Sequence, residues 1–308
     1  MKKKGKKRPL VGFMFRMIIR GLSCFSLKWA HLFGDGIGWC LWLLPNSLQK
    51  ITRENICSAY PDYSPGQRNR LIRASLVELG KGFCELGPLW LWPRDKMLPL
   101  VKDEGGADMI KEALLRGKGV IVLSPHLGAW ELMGWYWSIN FPITSLYRPP
   151  RVRSMAAFMR QVREREGATL VPTDVSGIKA LFRALKNNEM VGILPDQDPG
   201  KKGGVLVPFF NHPANTMTLV SKLIEKTDAP VFFTFAERLP QGKGFRIHVL
   251  EAQDGIVNSS DPVAAAAELN RQIEACVKLL PEQYLWSYGR YRKTKKYQRL
   301  QQRHQQHE

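Results

Sequence analysis

Apolar residues along this chain gather in short blocks whose period changes from strand to helix and back. GVIVLS (119–124) is a continuous apolar run of the kind a strand buried on both faces requires, and the stretch from about Trp130 takes a helical period. ITSLY (143–147) predicts a second strand, and MAAFMRQVRERE predicts the helix after it. ATLVP (168–172) precedes a helix over 175–187, and MVGILP (190–195) reads as a further strand. A helix over about 216–226 follows, then strands APVFFTFAE (229–237) and FRIHVLE (245–251), then a helix over 261–279. Upstream, a helix should begin near Ser64, with Pro65 suited to its first turn and Pro88 ending or kinking it. Strands alternating with helices imply an α/β fold, a layered and mainly parallel sheet flanked by helices. In such sheets reactive groups sit beyond the carboxyl ends of the strands. Ser124-Pro125-His126, Tyr147-Arg148 and Asp196-Gln197 each directly follow a strand block, so three polar clusters should meet along one edge.

The N-terminal third departs from this pattern. Residues 22–44, LSCFSLKWAHLFGDGIGWCLWLL, would extend roughly 35 Å as a helix, enough to reach across a bilayer. Lys28, His31 and Asp35 interrupt the run, and each is costly at the bilayer centre. A helix lying in the interface fits as well, and a buried amphipathic helix is the third choice. Trp29, Trp39, Trp42, Trp90 and Trp92 fall among Leu, Phe and Gly, a setting that favours the membrane–water interface. The expectation is a hydrophobic membrane-anchoring helix ahead of the α/β body. The divisions are 1–45 for the basic start and anchor, 46–292 for the α/β domain and 293–308 for a basic tail.

Charge sharpens the choice of partner. The formal net charge of +19 is concentrated in MKKKGKKR at the start and in the stretch from Arg290 onward. Two basic tails suit an anionic surface. No aromatics interleaved with Lys or Arg on a strand appear, so an anionic membrane is expected and nucleic acid is not. Five cysteines without CxxC or zinc spacing suit a reducing compartment, and no metal site or cofactor is expected. The basic arm should stay cytoplasmic.

The chemistry centres on His126, at a strand end, with Glu131 five residues on. A carboxylate accepting from one ring nitrogen fixes the tautomer and makes the other a better base. No GxSxG appears, so the nucleophile is expected to be a substrate hydroxyl and the reaction a direct acyl transfer. Arg148 has the makings of a clamp on an anionic group. Of Arg160, Arg163 and Arg165 on the next helix, Arg160 is the candidate contact. Asp196 and Gln197 open a glycine-lysine loop, where the carboxylate would fix the acceptor or support Arg148 or Arg290. In VPFFNHPANT, Asn215 and Thr216 look like a helix start, and His212 sits among turn residues.

SPHLGAWELMG resembles the HX4(D/E) signature of glycerolipid and lipid A acyltransferases. LYRPPR (146–151), ILPDQDPG (193–200), VPFFNHPANT (207–216) and the final LWSYGRYR follow in the order of the bacterial lipid A late (secondary) acyltransferase family. The resemblance implies an inner-membrane enzyme, acting at the cytoplasmic face, that takes a fatty acyl chain from acyl carrier protein. It would esterify a hydroxyl of a hydroxyacyl chain on a lipid A precursor. His126 would deprotonate that hydroxyl, with Glu131 orienting it, and Arg148, Arg160, Asp196, Gln197 and Arg290 would contact substrate. Another membrane lipid as acceptor is the alternative. The C-terminal block departs from the family's usual Trp-x-His: Tyr288 stands at the histidine and Gly289 at a basic position.

Overall fold

The computed structural model describes residues 9–150, 152–200, 203–257, 261–291 and 294. Both basic tails, Arg151 and the lysines of the 201–202 loop lie outside them. The chain opens with α1 (Pro9–Ser23), α2 (Leu27–Leu43), α3 (Ser47–Ala59), α4 (Pro65–Cys84), α5 (Leu86–Leu91) and α6 (Arg94–Met97). The sheet region then runs β1 (Val101–Asp103), α7 (Gly106–Leu114), β2 (Val120–Leu123), α8 (Trp130–Asn140), β3 (Ile143–Tyr147), α9 (Arg153–Glu164), β4 (Thr169–Pro172), α10 (Val175–Lys186) and β5 (Met190–Ile193). It closes with β6 (Gly204–Phe209), β7 (His212–Met217), α11 (Leu219–Thr227), β8 (Val231–Arg238), β9 (Phe245–Glu251), α12 (Asp254–Val257) and α13 (Pro262–Leu279).

Among the described residues seven strands form one sheet in the order β1-β9-β8-β2-β5-β3-β4, and β6 and β7 make a separate hairpin. Every neighbouring pair in the large sheet is parallel except β8 with β9, which are linked by a short turn. All four residues of β2 are buried. Its alternation serves two cores: Ile121 and Leu123 pack with Ile72 and Leu76 of α4, Leu181 of α10 and Ile273 of α13. Val120 and Val122 face the other way, into a core with Trp90 of α5, Ile110 of α7 and Trp137 of α8. Helical layers on both faces explain why this strand reads as an unbroken apolar run.

Helix α4 starts where expected. Ser64 accepts from the backbone of Gln67, Gln67 returns the bond to the Ser64 backbone, and Pro65 fills the first turn. The chain breaks at Glu85, three residues before Pro88, which sits inside α5. Asn215 and Thr216 do not start a helix. They lie in β7, paired with Leu206 and Val205 of β6, and α11 begins only at Leu219.

The 22–44 run is two helices rather than one. Helix α1 ends at Ser23, Ser26 caps α2, and no helix among the described residues is long and apolar enough to cross a membrane. The membrane-anchoring helix expected from the sequence is therefore not supported as a span, one of the forms left open for it, among the described helices. Instead α2 turns its small and polar positions inward: Leu27, Ala30, His31, Gly34 and Gly38 are buried. His31 Nε2 meets Glu85 at 3.0 Å, and Lys81 Nζ reaches Asp35 at 3.4 Å. Two of the three charges that interrupt the apolar run thus face protein. Trp29, Leu32, Phe33, Ile37 and Trp39 face out, joined by Leu10, Phe13, Met14 and Met17 of α1.

Gly34 and Gly80 let α2 and α4 touch at the backbone. A Cβ on Gly80 would lie 2.1 Å from the Gly34 carbonyl oxygen, and one on Gly34 2.5 Å from the Lys81 backbone.

Candidate active site

Strands β2, β5 and β3 are neighbours, so the segments leaving their carboxyl ends lie side by side. Ser124 is tied back by a 2.9 Å hydrogen bond with Thr234 Oγ1, which keeps its hydroxyl within the sheet. The loop that carries His126 is held on both edges. The Leu285 amide donates to the His126 carbonyl, and the Gly128 amide donates to the Gln283 carbonyl, both at 3.0 Å. Gly128 has φ +60°, and a Cβ there would lie 2.0 Å from the Ala236 carbonyl oxygen. Only glycine satisfies both the left-handed conformation and that approach.

The carboxylate against His126 is Asp196, not Glu131. Asp196 Oδ1 lies 2.8 Å from His126 Nδ1, and Oδ2 accepts the His126 backbone N–H at 3.0 Å. Asp196 is 2% exposed. Burial alone would raise its pKa, but the His126 charge and the hydrogen bonds it receives hold the carboxyl below its ordinary value. A carboxylate can only accept, so in the neutral ring Nδ1 carries the proton and Nε2 presents a lone pair. Gln197 Nε2 stands 3.0 Å from that nitrogen.

Glu131 turns the other way, in the first turn of α8. It accepts from Arg163 Nε at 3.0 Å, from Arg163 Nη2 and from the Trp90 indole at 3.1 Å. Burial would lower the Arg163 pKa, but the Glu131 charge outweighs it and the guanidinium is held above its ordinary value. Arg163 also lies over the rings of Trp90 and Tyr147.

These groups surround a cavity of about 420 Å³ whose walls include His126, Trp130, Glu131, Tyr147, Arg148, Arg163 and Gln197, with Trp137 and Leu170 among its apolar residues. A second cavity, about 390 Å³, lies between α1, α4, α9 and the segment 283–287. Its walls include Phe15, Phe83, Met155 and Met159, and it shares Trp90, Trp130 and Glu131 with the first.

The remaining sequence candidates separate. Arg148 is exposed at the rim of the larger cavity. Arg160 is not among the cavity's residues: it pairs with Glu164 at 2.9 Å and donates to the Leu170 carbonyl at 2.7 Å. Arg163, one turn on, takes the inward place that the sequence reading gave to Arg160. Arg290 is buried, donating to the Asn215 carbonyl at 2.6 Å and to Thr216 Oγ1 at 3.0 Å, so it braces β7 instead of meeting an anionic lipid. Tyr288 accepts from the Asp198 amide at 3.1 Å, and Asn215 Nδ2 donates to Asp198 Oδ1 at 2.8 Å. The C-terminal block thus supports the Asp196–Asp198 loop from behind. Among the described residues no cluster of three or more His, Cys, Asp or Glu has a metal-binding arrangement.

Residues 4–293 match the family described as bacterial lipid A biosynthesis acyltransferase. The chain belongs to that family. Within the lipid A biosynthesis acyltransferases it is 28% identical over 245 residues to the palmitoleoyltransferase of Escherichia coli (strain K12), covering 79% of this chain and 78% of the relative. To the lauroyltransferase of the same organism it is 25% identical over 260 residues, 84% of each chain. A phosphatidylinositol mannoside acyltransferase of Mycobacterium tuberculosis (strain CDC 1551 / Oshkosh) is 27% identical over 184 residues, 58% of each. The HX4E string of this acyltransferase, His126 to Glu131, therefore joins two separate pairs, His126–Asp196 and Glu131–Arg163. Spacing alone concealed both, because each partner comes from a different strand or helix.

Proposed function

We propose that this acyltransferase moves a fatty acyl chain from acyl carrier protein to a hydroxyl of a hydroxyacyl chain on a lipid A precursor, without a covalent enzyme intermediate. The observation that carries the chemistry is His126 with Nδ1 held by a buried carboxylate and Nε2 facing a cavity. Nε2 takes the proton of the acceptor hydroxyl, and the oxygen attacks the thioester carbonyl. The carbon–sulfur bond breaks as the intermediate collapses, and the imidazolium returns the proton to the leaving thiolate. Asp196 stabilises the imidazolium between those steps. Arg148 at the rim is the clamp for an anionic group of the acceptor. Glu131 acts through Arg163, holding that cation at the cavity wall. Two cavities meeting at Trp130 suit a reaction that must place two acyl chains on either side of one hydroxyl.

The net charge of +19 suits an acidic carrier protein as donor. The exposed apolar face of α1 and α2 supports shallow seating on the cytoplasmic face of the inner membrane. Purified protein in detergent, given lauroyl- and myristoyl-acyl carrier protein and a lipid A precursor, should add the mass of one acyl chain, and His126→Ala should lose that gain. The mycobacterial relative gives a second reading, a different glycolipid acceptor. Acylation of a lysophospholipid or glycolipid with the lipid A precursor left unmodified would favour it.

A further inference from the structure

Gln197 occupies the position that the acceptor hydroxyl must take. Its Nε2 lies 3.0 Å from His126 Nε2, the nitrogen that presents a lone pair because Nδ1 keeps the ring proton and donates it in the hydrogen bond to Asp196. The carboxamide therefore donates to the base, and in this arrangement no water or alcohol can be deprotonated there. We infer that Gln197 is a plug on the general base, displaced only when an acceptor hydroxyl competes for His126, and that it suppresses hydrolysis of the bound thioester. This deepens the proposed function and rests on His126 being its base.

The backbone around Gln197 explains why displacement is a side-chain event. Asp196 is fixed by two bonds to His126. On the other side Asp198 is fixed through its amide to Tyr288, and its carboxylate accepts from Gly200 N and Asn215 Nδ2, both at 2.8 Å. Both flanking aspartates are buried and anchored, while the Gln197 side chain borders the 420 Å³ cavity, which gives it space to rotate. The reaction held back is balanced: water gives a proton to Nε2, its oxygen bonds to the acyl carbon, the carbon–sulfur bond breaks, and the thiolate takes the proton.

The test measures thiol release from an acyl-thioester donor with and without acceptor, in wild type, Gln197→Ala and Gln197→Met. A hydrogen bond of ordinary net strength leaves the base unplugged about one part in five or six, so its removal should raise acceptor-independent hydrolysis by about fivefold. Gln197→Ala should show that rise, and with it a higher ratio of hydrolysis to transfer. Gln197→Met, which fills the space without a donor, should fall between. His126→Ala should abolish both reactions. If hydrolysis and transfer fall together in Gln197→Ala, or the ratio stays at the wild-type value, the plug is wrong and Gln197 is a support residue only. If His126→Ala keeps wild-type activity, the base assignment itself has failed, a result distinguishable from failure of the plug.

Discussion

At His126 the two ring nitrogens have different neighbours, and substitutions on the two sides should separate. Asp196→Asn keeps the shape of the site but loses the negative charge and can accept only one of the two His126 N–H groups that Asp196 holds, so kcat should fall about 10³-fold or more. Nitrogen NMR of the His126 ring should lose the signature of the Nδ1–H hydrogen bond to a carboxylate in Asp196→Asn and keep it in Glu131→Gln, because Glu131 bonds Arg163 and Trp90 and not the imidazole. The same change in both variants would contradict the pairing. Gly128→Ala should cost about 2 kcal/mol or more in stability, read by denaturant unfolding, since the added carbon must overcome both a positive φ and the Ala236 carbonyl. The strand ends bearing His126, Arg148 and Asp196 were legible in the sequence, and so was their convergence. Which carboxylate meets which nitrogen was not, because five residues of separation said nothing about the direction in which α8 leaves the loop. The adjacency of β2 and β5 was the signal that could have found Asp196.

Among the elements, β2, β3, β5, β8 and β9 were legible because their apolar runs serve layers packed on the sheet. The β6–β7 hairpin was not. HPANTM has no alternation, and its Asn and Thr look like caps when read locally. Their side chains answer to distant partners: Asn215 to Asp198, Thr216 to Asn270 and Arg290. The N-terminal run misled for the opposite reason. Hydropathy cannot show that His31 and Asp35 have partners on α4 and the residue after it, nor that a serine-capped break divides the apolar stretch. The outward aromatic face of α2 is the testable part. Trp29→Glu with Phe33→Glu should lower partition into anionic vesicles by about 10²-fold, given the free energy of burying two large apolar side chains, while leaving the fold intact. Vesicle co-sedimentation reads the change, and unaltered binding would remove this face from membrane seating.

The whole molecule is tied together by a buried ionic cluster distant in sequence. Arg238 on β8 donates to Glu85 from Nε at 2.7 Å and Nη2 at 2.6 Å, and to Glu78 on α4 at 2.7 Å, while His31 of α2 meets the same Glu85. Burial would raise the Glu85 pKa, yet Arg238 and His31 hold it at about 2. A carboxyl lowered from its ordinary 4.5 contributes stability that is full above that value and lost as pH falls toward 2, roughly 3 kcal/mol in all. Denaturant midpoints from pH 7 to 3 should show the loss beginning below about pH 5, and Glu85→Gln should flatten that part of the curve. The contact of Gly34 with Gly80 gives this cluster a mechanical meaning. Helix α2 meets α4 at the backbone there and reaches β8 through Glu85, so the outward aromatics stand as a keel whose angle to the catalytic edge is set where two hydrogen atoms stand in place of side chains. Gly80→Ala should therefore tilt the keel, changing how the protein sits on a surface without touching a residue of the cavity that holds His126.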